Sequence, residues 1–220
     1  MKILAIDTTT KKASVSLKID NDVYTKSVDN EITHSEKLLP LIDDVLKEKN
    51  IAINEIDKLA VVQGPGSFTG VRIGIATIKA IAKVIDKNIV GITSLKLMAL
   101  EALKKNDNKY ILTLMDAKND RVYYELFENR NSTLSSISFN GNTFLDDVLE
   151  QVNNMNLEDL LIVVDKDYLY EKINFKNCQI VPLNIENIFN DIKNLKTYDY
   201  LTLDAMYYRK SEAERTKYGE

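Results

Sequence analysis

The chain has 220 residues, 45% hydrophobic and 28% charged, with 29 Lys and Arg against 33 Asp and Glu for a net charge of −4. That composition supports a buried core in one or two compact lobes, and no run approaches the roughly 18 apolar residues of a membrane span. It excludes a disordered chain and a broad basic face for nucleic acid, and one cysteine (Cys178) with one histidine makes neither an internal disulfide nor a convincing zinc site.

In chain order, KILAID reads as a short strand. Its apolar run, Ile3 to Ile6, is too short for the core of a secretory signal, so a cytoplasmic location is expected. ASVSLKI alternates as a half-buried strand does, and DVYTKSVD follows the turn signal Asp20-Asn21-Asp22. A helix is predicted from about His34 to Lys49 on the spacing of Leu38, Leu39, Leu41, Ile42, Val45 and Leu46, with Pro40 inside it expected to kink it. KLAVVQ is a strand, a second helix runs from about Thr69 to Asp86, IVGI is a strand and Ser94 to Leu103 a helix. This order, β-β-β-α-β-α-β-α, is that of one half of the actin, hexokinase and ribonuclease H-like α/β architecture, a mixed sheet flanked by helices. YILTLMDA, VYYELFE, SSISF, a helix over Thr143 to Val152, LLIVV, CQIVP and a helix over Ile185 to Leu195 restart the pattern as a worn duplication. The polar run KKNDNK sets the expected boundary, giving subdomains 1–105 and 106–220.

The most specific string is Gly64-Pro65-Gly66-Ser67-Phe68-Thr69-Gly70-Val71-Arg72-Ile73-Gly74, between a strand and a helix. A glycine-rich turn at a helix start can hold phosphate on backbone amides. The Walker template fails because Val71 follows Gly70, and the dinucleotide fingerprint fails because Thr69 holds the sixth position. In the helix that follows, Val71, Ile75, Ile78, Ala82 and Ile85 form one stripe, yet Ile73, Ala76, Ala80 and Val84 outside it are also apolar. A helix apolar on more than one side is covered on more than one side, which points to a protein partner as well as the sheet. The regular stripe is assigned to the fold, and the small-residue side with Gly70, Ile73, Gly74 and Ala80 to the partner. Thr33-His34-Ser35-Glu36 fits a capping box, which accounts for Thr33 and Glu36 and leaves His34 at the helix start rather than as a base. Asp7, Thr8 and Thr9 stand where actin-like ATPases place phosphate-contacting groups. Against nucleotide binding, only Gly141 and Gly219 follow Gly91, and Asp165-Lys166-Asp167 replaces a second glycine turn. No serine sits in a nucleophile elbow. Cys178, in CQIVP, reads as a small buried hydrophobe, and the late basic cluster Arg209, Lys210, Arg215 and Lys217, diluted by Glu212 and Glu214, as solvated surface.

ILAIDTT, HSEKLLPLI, GPGSFTGVRIG, GITSL, DAKNDRVYYELF and YYRKSEAE together resemble the TsaB (YeaZ) family over about residues 2 to 214. The resemblance implies an actin-like fold of two subdomains and a non-catalytic subunit in the synthesis of threonylcarbamoyladenosine at position 37 of certain tRNAs. It implies a homodimer when alone, a heterodimer with the larger catalytic paralogue TsaD, and cooperation with the ATPase TsaE. No cofactor is expected to be bound tightly by this chain; ATP and metal would belong to TsaD, and ATP also to TsaE. The paralogue's two metal-binding histidines would fall at about Ser94 and Met98, neither of which replaces an imidazole. The family's dimer surface implies interface residues on the first helix (His34, Leu38, Leu41, Ile42), in the turn (Gly66, Ser67, Phe68, Thr69, Gly70) and on the second helix (Ile73, Gly74, Thr77, Ala80). Asp7, Thr8 and Thr9 are the candidates for a residual nucleotide contact. The sequence departs from the family at Lys118, often arginine, and at Asp165 to Asp167, often a glycine pair. The rival functions are a stand-alone ATPase or kinase of the actin fold and a glycoprotease-like peptidase; each needs groups not found here.

Overall fold

The computed structural model describes residues 1–29 and 34–208. The first three strands, β1 (Lys2–Asp7), β2 (Lys12–Ile19) and β3 (Asp22–Asp29), form an antiparallel meander with Lys2 opposite Ile19 and Lys12 opposite Asp29. Helix α1 (His34–Glu48) leads to β4 (Lys58–Val62), which pairs parallel to β1; α2 (Phe68–Ile85) then leads to β5 (Ile89–Ile92), parallel to β4. Pro40 lies inside a continuous α1.

After α3 (Ser94–Ala102) the pattern is repeated. β6 (Tyr110–Asp116), β7 (Arg121–Arg130) and β8 (Thr133–Phe144) form a second antiparallel meander, followed by α4 (Leu145–Asn154), β9 (Leu160–Val164), α5 (Asp167–Lys172) and β10 (Cys178–Ile180). The strand orders are β5-β4-β1-β2-β3 and β10-β9-β6-β7-β8, the same topology with every strand number raised by five. Pairing senses match as well: β6 is antiparallel to β7 and parallel to β9. The duplication seen faintly in the sequence is thus a duplicated sheet, and the chain has the actin-like α/β fold.

A turn of 3₁₀ helix (Ile185–Asn187), α6 (Ile188–Asp191) and β11 (Thr197–Tyr198) complete the described chain, with β11 antiparallel to β5. The single helix expected over Ile185 to Leu195 is therefore two short pieces. These residues belong to the first of two compact units, Met1–Ser94 with Ile185–Met206; the second comprises Leu95–Asn184 and the stretch that begins at Tyr207. A single cut after residue 105 does not describe this division, because the chain returns to the first sheet at its end.

The side chains of each strand alternate between the two faces of the first sheet. On one face Leu4, Ile6, Val15, Leu17, Leu59, Val61 and Ile89 meet Leu38, Ile42, Val45 and Leu46 of α1 and Val71, Ile75, Ile78 and Ala82 of α2. On the other, where Ile3 and Ala5 are buried, the Ile185–Asn187 turn packs against β1 and β2. Each large aliphatic side chain buried this way contributes roughly 1.5–3 kcal/mol. The second unit has its own cluster, in which Leu112, Leu114, Ile162 and Val164 meet Leu145, Val148, Val152 and Leu169. Among the described residues no helix is long and apolar enough to cross a membrane.

Candidate functional site

The glycine-rich turn is held against the end of β1 by close backbone contact. A Cβ on Gly66 would lie 2.2 Å from the Thr9 carbonyl oxygen, one on Gly70 2.0 Å from that of Thr8, and one on Gly74 2.5 Å from Thr8 Oγ1. The glycines are needed here for close backbone approach. Gly64, at φ +102°, is the one that also needs glycine's conformational freedom. Hydrogen bonds seal the contact: Ser67 N donates to Thr9 O at 2.7 Å, and Thr8 Oγ1 donates to Gly70 O at 2.7 Å. Thr9 donates through its amide and its hydroxyl to Asp7 Oδ1, at 2.8 and 2.7 Å. Asp7, Thr8 and Thr9 are at most 4% exposed. These three residues, expected as nucleotide contacts, form the buried seat of the turn.

The start of α2 is closed in the same way. Ser67 is its N-cap, accepting from Gly70 N at 3.2 Å, and Val71 N donates to Ser67 O. Three of the turn's amides (Ser67, Gly70, Val71) are thereby used internally. At the other end Asp86, in the left-handed region at φ 51°, stops the helix. Ser94 is fully buried, with Oγ donating to Pro65 O at 2.7 Å, and Met98 is fully buried too. Among the described residues no group of His, Cys, Asp and Glu is arranged to hold a metal.

The expected interface residues separate by burial. Leu38 and Ile42 lie in the core under α1, and Gly70 and Gly74 face the Thr8 seat, so these four belong to the fold and are corrected as partner contacts. Of the small-residue side only Gly70 and Gly74 turn inward, a distinction the sequence misses because helical spacing cannot tell a close approach to the protein's own loop from one to a partner. Gly66, Ser67, Phe68, Leu41, Ile73 and Thr77 are partly exposed, and Thr69 and Ala80 are exposed. Ile73, Ala76, Thr77, Ala80 and Val84 recur at helical offsets along the outer side of α2, and Val84 is 81% exposed. On α1, Leu39 is 57% exposed, a residue that the sequence reading left off the interface. The side chain of His34, Thr33 of the capping box, and the cluster Arg209, Lys210, Arg215 and Lys217 lie outside the described residues.

In the second unit, Asp116 ends β6 as Asp7 ends β1. Its amide donates to Asp165 Oδ1 at 3.0 Å, and burial pushes the Asp165 carboxyl above its ordinary range. Burial and the neighbouring Asp116 carboxylate likewise push the Tyr168 hydroxyl up. Lys118, Asn119 and Asp120 all have positive φ, and Lys172 Nζ lies 2.6 Å from Asp120 Oδ1. Carboxylates thus gather at the ends of β6 and β9. Cys178 is half-buried, and desolvation pushes its thiol up to about 11, so it is a packing residue of the second core.

A family model described as TsaD: tRNA N6-adenosine threonylcarbamoyltransferase matches residues 29–168 of the chain. The chain belongs to this family. Within the family it stands with the TsaB (YeaZ) proteins. It is 36% identical over 128 residues to the tRNA threonylcarbamoyladenosine biosynthesis protein TsaB of Escherichia coli (strain K12), covering 58% of this chain and 55% of that one. It is 30% identical over 153 residues to the TsaB protein of Bacillus subtilis (strain 168), covering 69% and 66%. The chain spans about half the length of the first of these relatives. In three dimensions it is similar to a Pseudomonas aeruginosa protein described by its similarity to the peptidase YeaZ, with a TM-score of 0.81 and 21% identity, over 94% of this chain and 99% of that one. At that identity the likeness establishes the shared fold. The matched region includes the glycine-rich string that sits on the Thr8 and Thr9 seat.

Proposed function

We propose that the chain is a non-catalytic dimerisation subunit in the synthesis of threonylcarbamoyladenosine at position 37 of tRNA. It pairs through α1 and α2 with the larger paralogue TsaD, and with a second copy of itself when alone. The observation that carries this reading is the outer side of α2, where Ile73, Ala76, Ala80 and Val84 form an apolar stripe, with Leu39 of α1 exposed as well, while the opposite stripe already fills the core. Exposed apolar surface organised along one helix marks a docking face. The names of the related TsaB proteins support the pathway.

In this reading no cofactor is held tightly by this chain: ATP and metal belong to TsaD, and ATP also to TsaE. The inward-turned Asp7, Thr8 and Thr9, the buried Ser94 and Met98, and the carboxylates at Asp116 and Asp165 support that division of labour. tRNA is reached only through the complex, in the cytoplasm, as the net charge of −4 also suits. The test is size-exclusion chromatography of this chain mixed with TsaD, beside the Ala80→Glu variant. An unpaired charge buried in an interface costs several kcal/mol, on the order of a thousandfold in association. Ala80→Glu is expected to stay folded and lose co-elution, with modified tRNA falling in parallel. A folded Ala80→Glu that pairs normally, or robust ATP turnover by the rigorously purified chain alone, would sink the reading.

A further inference from the structure

The C-terminal stretch Asp199–Met206 lies within the first unit and passes the base of the glycine-rich turn. Asp199 pre-forms its bend, accepting from Leu201 N and Thr202 N at 2.7 and 2.8 Å. Two side chains then anchor it. Gln63, the residue directly before the turn, is 4% exposed; its Nε2 donates to Asp204 O at 2.7 Å and its carbonyl accepts from Met206 N at 2.8 Å. Position 91 is shaped around the same amide, since a Cβ on Gly91 would lie 2.0 Å from Gln63 Oε1. The second anchor is on α2, where Lys79 Nζ donates to Leu203 O at 3.0 Å. The Leu203 side chain is buried in the cluster that holds Val71, Ile75 and Ile78.

A buried amide at the end of an apolar strand is unfavourable unless its donors and acceptors are paired. Here the pairing is with a segment about 140 residues distant in the chain, which ties the turn that starts α2 and the middle of α2 to one strap. We propose that Asp199–Met206 is a latch that sets the position of the glycine-rich turn and α2, and hence the presentation of the outer α2 stripe. The link to docking rests on the function proposed above; the latch itself acts within the isolated chain.

The test is hydrogen exchange by mass spectrometry on the full chain, comparing the wild type with Gln63→Leu and Lys79→Met. Leaving the Asp204 carbonyl without its donor is expected to speed exchange in peptides spanning 63–75 and 199–206 roughly tenfold or more, with β1 and β2 unchanged. Pairing with TsaD is expected to weaken by a similar factor. Unchanged exchange in those peptides overturns the latch, and so does a uniform rise that includes β1 and β2, because Gln63 would then serve global stability alone. Faster local exchange with wild-type pairing also overturns it as a device that sets the docking face. If Gln63→Leu does not fold, Lys79→Met decides by the same criteria, since Lys79 is only partly buried. Ala80→Glu separates the two claims: it is expected to lose pairing at wild-type exchange, and if it pairs normally the docking face is misplaced while exchange still decides the latch.

Discussion

Two residues on α2, six positions apart, have opposite roles. A methyl group at Gly74 or Gly70 has no space, because Thr8 stands within 2.5 Å of both Cβ positions, whereas Ala80 already carries one in solvent. For Gly70→Ala the gain in helix propensity of about 1 kcal/mol is opposed by a clash with a backbone oxygen, and overpacking of that kind costs about 1–3 kcal/mol. The variant is expected to melt several degrees below wild type; equal melting temperatures would show that the seat is loose. Asp165 offers a test in pH. Its folded-state carboxyl titrates above the ordinary value of 3.8 because it is desolvated, so the folded chain keeps a proton that the unfolded chain releases. The stability it contributes is complete below that ordinary value and lost as pH rises through the raised one. Asp165→Asn can still accept from the Asp116 amide. It is expected to melt above wild type at neutral pH, with the gap closing on acidification. Thermal melts across that range check this, and a constant gap would refute it.

Helix α2 carries two apolar sides, and the structure fixes which of them is inward. Its N-cap Ser67 and its left-handed stop at Asp86 fix its length, the stripe Val71, Ile75, Ile78 and Ala82 fixes its rotation, and the opposite stripe is then outermost. Ile78 is fully buried, so Ile78→Glu places a carboxylate in the core at a cost of several kcal/mol, comparable with the total stability of a domain. It is expected to abolish the cooperative circular-dichroism transition of the first unit. Gly74→Glu is expected to do likewise because position 74 faces Thr8. Ala80→Glu is the variant that leaves the fold alone. A cooperative melt for Ile78→Glu at the wild-type temperature would contradict the assignment of the inner stripe.

For the whole molecule, the discontinuity of the first unit has a direct consequence. A fragment cut after residue 105 lacks Ile185, Ile188 and Leu203, all buried, together with β11 on the β5 edge. It is expected to be aggregation-prone and without a sharp thermal transition, from both the bared face and the unpaired edge. A fragment 1–105 that melts cooperatively as a monomer would show that the returning segment is dispensable.

The sequence by itself determined the element types and their order, because alternation and helical spacing are local and long enough here to be read in β1 to β5, α1 and α2. It also carried the family, through the string GPGSFTGVRIG, and it showed α2 to be apolar on more than one side. Short elements escaped it: six residues of α5 and two of β11 hold too little periodicity, and Ile185 to Leu195 has helical spacing but breaks into pieces. Spacing rightly assigns the regular stripe of α2 to the fold, and only the tertiary structure turned Gly70, Gly74, Leu38 and Ile42 inward. The reason is that a glycine or leucine at a given helical angle reads the same whether its neighbour is the protein's own loop or another molecule. Asp7, Thr8 and Thr9 are the same case. Their chemistry suits a phosphate, and the fold pairs the Thr8 and Thr9 hydroxyls and Asp7 Oδ1 with one another and with the turn, a pairing no sequence pattern displays.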